Sequence, residues 1–471
     1  MKNIVIASTL LLLTSCGGKI TNIVSFTKTV EAEESGHSVI APAEQNLAVW
    51  DNDNIGVNIS IDPAHQRFKT HKLDLKASIS AKPVIADDKI FILTRDGYLS
   101  AFDEVSLKQL WTVDIVSKKS KSDYISGGIA YHDGKLFVTN GSRTFAIIDS
   151  NNGNIIFSKQ FPDILITKPV IQGNVAILQT MGNQTYFLDL ISKVIIWDHI
   201  GNPETLQGGL PIDPVLDNHG HVILAYSSGQ VSLIDLHNHV ELWQMDLSSD
   251  STMPEYVAVN IAVSPIIEGQ SGYFADNNGK IFKINLDNGR FDWKKEIDDV
   301  RTINNTANAL VITTNGRQVI ALDKISGKVM WSTDLAEPGQ SRAKWQPINY
   351  VASLMVNNML NIYTSGGVEY VIDLANGRIV QRKQIVSQLS FVTITDKIRM
   401  FAGRKIMVSE QAKATNHFKI FDKFKFDKFK KVEQSSNTDV IKDVTNEHKK
   451  KKLDWFKPFK FGKKKNDTQA E

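Results

Sequence analysis

The sequence predicts an all-β protein built as an eight-bladed β-propeller, and three observations carry that prediction. An acidic or amide residue is followed eight positions later by an aromatic one, in the pairs Asp103/Trp111, Asp149/Phe157, Asp189/Trp197, Asp235/Trp243, Asn285/Trp293 and Asp323/Trp331, with Asp373/Gln381 as a seventh, degenerate copy. The copies recur every 38 to 50 residues, the length of a four-stranded propeller blade. Between the marks the chain reads as short β-runs separated by turn signals. Residues 83–85, 89–94, 98–103 and 110–115 give four antiparallel strands for the first copy. A glycine four residues after the Asp in four copies (Gly153, Gly289, Gly327, Gly377) supplies the positive φ of a hairpin loop. The Asp side chain is placed to accept backbone N–H groups of that loop. The aromatic residue falls on the outer strand, where a flat ring packs against the next blade, so these residues read as structural.

The elements follow in order. Lys2 and the apolar stretch 4–13 form a signal-peptide pattern, too short for a bilayer span of about 20 residues. It ends in Leu13-Thr14-Ser15-Cys16, similar to a bacterial lipobox, so Cys16 is the expected lipid attachment site after removal of residues 1–15. Gly17 in place of Asp implies, by that resemblance, outer-membrane rather than inner-membrane retention, facing the periplasm. Two or more acyl chains are needed for stable anchoring. Residues 16–59 then read as a polar tether and 60–410 as the propeller. After the seventh copy only three strand-like runs remain, 389–394, 397–402 and 405–409. The run 68–75 is expected to supply the missing strand and close an eighth blade, which removes free sheet edges.

Composition narrows the function classes. With 42% apolar and 22% charged residues the chain is globular rather than disordered. A single cysteine excludes a disulfide framework and a Cys-rich zinc site. The net charge of +3 hides an asymmetry: residues 411–471 hold 17 lysines against nine carboxylates, together with eight of the 22 phenylalanines. Two readings of this tail stand, a solvated extension and a segment lying on an anionic lipid surface. Nucleic acid suits its charge but not a periplasmic address. His219-Gly220-His221 and His237-Asn238-His239 form two H-x-H pairs expected in turns on one face. They read as turn residues, His239 filling a repeat glycine position, although four imidazoles could approach a metal. No Walker A, H-E-x-x-H or G-x-S-x-G pattern occurs. No cofactor, metal site or catalytic residue is therefore expected.

The stretch 321–331, A-L-D-K-I-S-G-K-V-M-W, matches in full the tryptophan-docking motif of quinoprotein (PQQ-like) propellers. Together with the lipobox it resembles the BamB family of outer-membrane β-barrel assembly lipoproteins over about residues 60–410. The segments 58–65 and 226–229 are similar to its alphaproteobacterial branch. The resemblance implies a non-enzymatic scaffold that docks the barrel-insertion subunit of the assembly complex and serves unfolded outer-membrane proteins. It implies docking through the loops 202–213 and 257–264. There Leu206 matches the family, while Gln207 replaces an arginine, and Asn260 and Ala262 replace aspartates. Two alternatives remain: a periplasmic propeller binding another protein or a cell-wall ligand, and a PQQ-dependent dehydrogenase. The second is disfavoured because such enzymes carry an adjacent cysteine pair and a calcium ligand set.

Overall fold

Ile90, Phe91, Ile92 and Leu93 are apolar in succession, and all four are buried. Such a strand needs cover on both faces, which a stack of radially arranged sheets provides. The computed structural model describes residues 30–33, 38–45, 58–61, 67–116, 127–202, 212–217, 219–247, 261, 263–276, 279–335 and 348–410. They form eight antiparallel blades. Blade 1 runs outward through Val84–Ala86, Lys89–Leu93, Tyr98–Asp103 and Gln109–Asp114. Blades 2 to 7 repeat the order, with outer strands Ile155–Gln160, Ile195–Ile200, Val240–Asp246, Arg290–Glu296, Val329–Asp334 and Ile379–Gln384.

Closure occurs as the sequence predicts, by both ends of the domain. Blade 8 takes Phe391–Ile394, Ile398–Ala402 and Lys405–Glu410 from the C-terminal side, and its outer strand is Arg67–Lys72. Phe68 lies opposite Ser409 and Lys72 opposite Lys405. The closing strand ends earlier than the run 68–75 suggests. Leu73, fully buried, leaves the ladder while its N–H still bonds the Arg404 carbonyl at 2.9 Å.

The repeat marks meet across each joint. The indole N–H of Trp111 donates to the Ser150 carbonyl (3.1 Å), Trp243 to Leu286 (2.6 Å), Trp293 to Lys324 (3.0 Å) and Trp331 to Leu374 (3.0 Å). Each acceptor is the residue just after the Asp or Asn of the next blade. The indole then lies on the glycine three residues further on: a Cβ on Gly153 would come within 2.7 Å of Trp111, and one on Gly327 within 2.8 Å of Trp293. Glycine is required there twice over, for positive φ and for close approach. Two joints vary the chemistry. Lys193 takes the glycine position at φ 63° and sets its ammonium over Phe157, while His239 at φ 54° stacks on Trp197 with centroids 6.0 Å apart.

All seven Asp or Asn side chains accept backbone N–H groups of their own turns, for example Asp189 from Ser192 at 2.6 Å and Asp323 from Ser326 at 2.7 Å. Side-chain and backbone donors of Ser106, Ser192 and Asn238 hold the carboxyls of Asp103, Asp189 and Asp235 below the ordinary value. Because these folded values are depressed, the stabilisation is complete above the unfolded carboxyl value of about 3.9 and is lost as pH falls through the folded ones. The melting temperature is therefore expected to fall below about pH 4, and Asp189→Asn to flatten that fall. Equal acid sensitivity in the variant would show that other groups govern it.

Parts of the expected tether lie on the propeller. Val30 exchanges hydrogen bonds with Gln318 of blade 6 and accepts one from Ser332 (2.7 Å), Glu33 donates its N–H to Val329 (2.8 Å), and Lys295 of blade 5 pairs with the Glu33 carboxylate. Asn308, in a blade 6 turn, binds Ser38 and Ile40, and Val39 is buried. Glu44–Gln45 and Asn58–Ile59 then add two short parallel strands beside Tyr350–Val356 of blade 7. Asn58 is fully buried, bonded to Pro42 and Asn358, and Asn357 bonds Ile61 through both amide atoms. The described segments of this strap, 30–33, 38–45 and 58–61, lie at the rim of blades 5 and 6 and on the turns of blades 6 and 7.

Candidate interaction surface

Loops that carry binding on a propeller need fixed roots, because only the blades supply rigidity. Two neighbouring connections leave the same face: 203–211 between blades 3 and 4, and 248–260 between blades 4 and 5. Leu206, Gln207 and Asn260, the residues to which the resemblance points, lie outside the described residues, as do Ala262, Cys16 and residues 411–471. The roots are described. Asn183, buried at φ 58°, accepts the Gly201 N–H on its carbonyl (2.8 Å) and donates through its amide to the Asn202 carbonyl (2.9 Å). The Gln230 amide oxygen accepts the Asn202 N–H at 2.6 Å. At the far end the Asp213 carboxylate accepts the Lys168 N–H at 2.8 Å. The second connection is pinned by Leu247 and Ile261, both buried.

A polar chain backs the first root. The Tyr226 hydroxyl, on a residue 1% exposed, bonds Thr185 (3.0 Å) and His199 Nδ1 (2.7 Å), and His199 Nε2 lies 3.6 Å from the Glu241 carboxylate. Burial pushes the phenol well above its ordinary value, so it stays neutral and bridges as donor and acceptor. A Cβ on Gly201 would strike the Tyr226 ring at 2.7 Å, so the ring is the floor on which the loop root rests. In the sequence, 226–229 stands out by resemblance alone. The hydroxyl's partners, Thr185 and His199, both lie on the preceding blade, 41 and 27 residues away, and leave no local pattern to find.

Near the first root the outer rim carries exposed aliphatic side chains among its acids: Ile200 is 70% exposed where the blade 3 outer strand runs into the connection, with Ile196 on that strand and Leu242 on blade 4 beside exposed Asp198 and Asp246. The outer strand of blade 5 instead exposes the charged Arg290, Asp292 and Lys294. Contiguous exposed aliphatic surface is the kind that protein contacts use. The repeat does not reveal it, since the inward Trp197 carries the motif and the outward isoleucines carry none.

The histidine pairs do not converge. Asp217, its side chain 4% exposed, accepts the His219 and His221 backbone N–H groups (2.8 Å each) and lies 2.7 Å from His221 Nδ1. His237 is held in the Asp235 turn and His239 on Trp197. Among the described residues no group of three or more His, Cys, Asp or Glu side chains is placed to hold a metal.

The family model described as outer membrane protein assembly factor BamB matches residues 95–333 and 304–415, nearly the whole ring. The chain belongs to the BamB family. An uncharacterised protein of Rickettsia conorii is 31% identical over 304 residues, 63% of this chain and 73% of that one. The BamB of Shewanella oneidensis is 23% identical over 329 residues, 67% of this chain and 80% of its own. In structure, the ring is similar to the BamB of Moraxella catarrhalis, with a TM-score of 0.60 at 14% identity over 72% of this chain and 98% of that chain. The quinohemoprotein alcohol dehydrogenase of Comamonas testosteroni follows at TM-score 0.54 and 11% identity, covering 74% of this chain and 78% of its own. The BamB propeller and that of a redox enzyme thus share a fold, and the fold alone does not assign chemistry.

Proposed function

We propose that this BamB-family chain is a non-enzymatic scaffold of the outer-membrane β-barrel assembly machinery. It is anchored through Cys16 in the outer membrane, faces the periplasm, and docks the barrel-insertion subunit so that unfolded outer-membrane proteins are delivered to it. The observation that carries this reading is the pair of neighbouring connections on one face, each rooted in buried residues and set beside an aliphatic rim. Leu206 is the proposed contact in the first, with Gln207 and Asn260 as polar neighbours. The loss of charge at Gln207 and Asn260 shifts the weight of docking toward apolar contact, which the isoleucine-rich rim supplies.

Affinity capture of the lipidated protein from solubilised outer membranes tests the proposal. Recovery of the barrel-insertion subunit is expected, and Leu206→Asp should lower it at least tenfold, the effect of about 1.4 kcal/mol on one apolar contact. The variant should keep the wild-type melting temperature. Reproducible absence of that subunit, or dehydrogenase activity with bound quinone, would overturn the assignment. Cys16→Ser should release the protein from the membrane fraction.

A further inference from the structure

The rim of the ring is electrically uneven. The outer strands of blades 3 and 4, I-I-W-D-H-I and V-E-L-W-Q-M-D, contain no lysine or arginine. Those of blades 7 and 8, I-V-Q-R-K-Q and R-F-K-T-H-K, contain no carboxylate. On that side Arg378, Arg382, Lys383, Lys69 and Lys72 are all exposed. The Glu410 carboxylate faces them from the adjoining strand, 3.7 Å from Lys69, with both side chains at least half exposed. Arg382 also lies over the Tyr370 ring. The blade 7 outer strand is exposed almost throughout, because Gln381 stands where other blades dock an aromatic ring.

The strap brackets this basic rim. It meets the ring at the edge of blades 5 and 6, Asn58–Ile59 pairs with the innermost strand of blade 7, and Arg67–Lys72 forms the outer strand of blade 8. The stretch from Cys16 to Val30 is 14 residues, with a reach of at most about 50 Å at ~3.5 Å per residue. A lipid on Cys16 would therefore confine the blade 6 edge to the neighbourhood of the bilayer, with the cationic rim next to it and the aliphatic rim of blades 3 and 4 across the ring.

We propose that the outer rim of blades 7 and 8 is a docking surface for an anionic phospholipid bilayer, holding the propeller edge-on with blades 3 and 4 turned toward the periplasm. For its geometry the proposal rests on the Cys16 anchor of the scaffold reading. An anionic protein or nucleic acid would also answer to cations, but the lipid surface is the one partner that the strap brings to this rim. Lysine and arginine at a bilayer act additively and at short range, so five of them on the rims of two neighbouring blades suffice for binding that salt reverses.

The test uses the unlipidated chain from residue 16 with Cys16→Ser, both complete and ending at residue 410. The shorter form removes the lysine-rich tail, and every described strand lies upstream of its end. Partition onto phosphatidylglycerol-containing and pure phosphatidylcholine vesicles is measured by sedimentation at low and high salt. The shorter form should bind the anionic vesicles, release in high salt and ignore the neutral ones. Combined Arg378→Gln, Arg382→Gln, Lys383→Gln, Lys69→Gln and Lys72→Gln should weaken binding roughly a hundredfold or more, at about fivefold per charge. Arg290→Gln with Lys294→Gln on blade 5 should change it far less. Unchanged partition of the five-site variant, with an unchanged melting temperature, overturns the proposal. So does equal binding to neutral vesicles, or a stronger effect of the variant on an acidic protein or RNA probe than on vesicles. Capture of the barrel-insertion subunit by the five-site variant reports separately on the scaffold reading, so the two can fail independently.

Discussion

Trp331→Ala is expected to destabilise the ring by about 3–5 kcal/mol, the usual cost of emptying a large aromatic site. The side chain is 7% exposed, its N–H is bonded to the Leu374 carbonyl, and its ring lies on Gly377 of the next blade. Gly377→Ala should be nearly as damaging. Its φ is 74°, and an added Cβ would fall 2.4 Å from Trp331 Cε3 and 2.8 Å from Thr333 Oγ1. Left-handed strain costs about 1–2 kcal/mol, and forcing a methyl into a filled site about 1–3 kcal/mol more. Gly173→Ala separates the two terms. At φ 55° with nothing within 4 Å of the added Cβ, it should show the strain alone. The double variant Trp331→Ala with Gly377→Ala should be less unstable than the sum, because the new methyl occupies the space the indole leaves. Equilibrium denaturation of the four proteins reads this directly, and strict additivity would refute the docking account.

Glu104→Ala should cost about 3 kcal/mol or more at the joint that closes the ring. Arg399 of blade 8 is 1% exposed and pairs with Glu104 in the turn between the third and outer strands of blade 1. Its other polar contacts include the Thr395 hydroxyl at 2.8 Å, the Lys397 carbonyl at 3.3 Å and the well-exposed Asp396 carboxylate at 3.6 Å. Burial pushes the Glu104 carboxyl up and Arg399 pulls it back, so the pair is desolvated and mutually dependent. Without Glu104 the guanidinium is left buried with a solvent-facing counter-charge. Glu104→Ala with Arg399→Met should therefore recover most of the loss, whereas a single and a double variant of equal stability would show that the ion pair is not what holds the joint. Lys324, also the residue after a repeat Asp, bonds Glu268 of the preceding blade at 2.6 Å. The same turn position thus ties two joints electrostatically.

The joints are legible in the sequence because their chemistry repeats. An Asp, a glycine four later and an indole eight later recur at blade intervals, and that register leaves His239 no place but a glycine position. Closure is legible by subtraction, three strands at one end needing a fourth. The strap is not. Its segments are polar and aperiodic, and they are recognised by Asn308, Asn357 and Asn358, which sit in turns with nothing local to announce a partner 268 to 300 residues away. The Arg399–Glu104 pair, 295 residues apart, is hidden for the same reason. The aliphatic rim shows only as outward positions on strands already explained by their inward tryptophan.

The closing strand also fixes an order of events. Arg67–Lys72 is made early, yet its partner Lys405–Glu410 comes last, and nearby Leu75 and Arg404, whose side chain bonds the Leu75 carbonyl, are 329 residues apart. Contacts of such separation form slowly, because the ends of a long chain must be brought together before the pairing rewards it. Seven blades can assemble on local hairpins while the eighth waits, with an unpaired edge on Lys405–Glu410 and a strap already committed to blades 6 and 7. By laying residues 30–33, 38–45 and 58–61 across those blades, the chain holds its closing strand near the place its last must arrive, and so shortens the search that would otherwise leave an open, aggregation-prone ring.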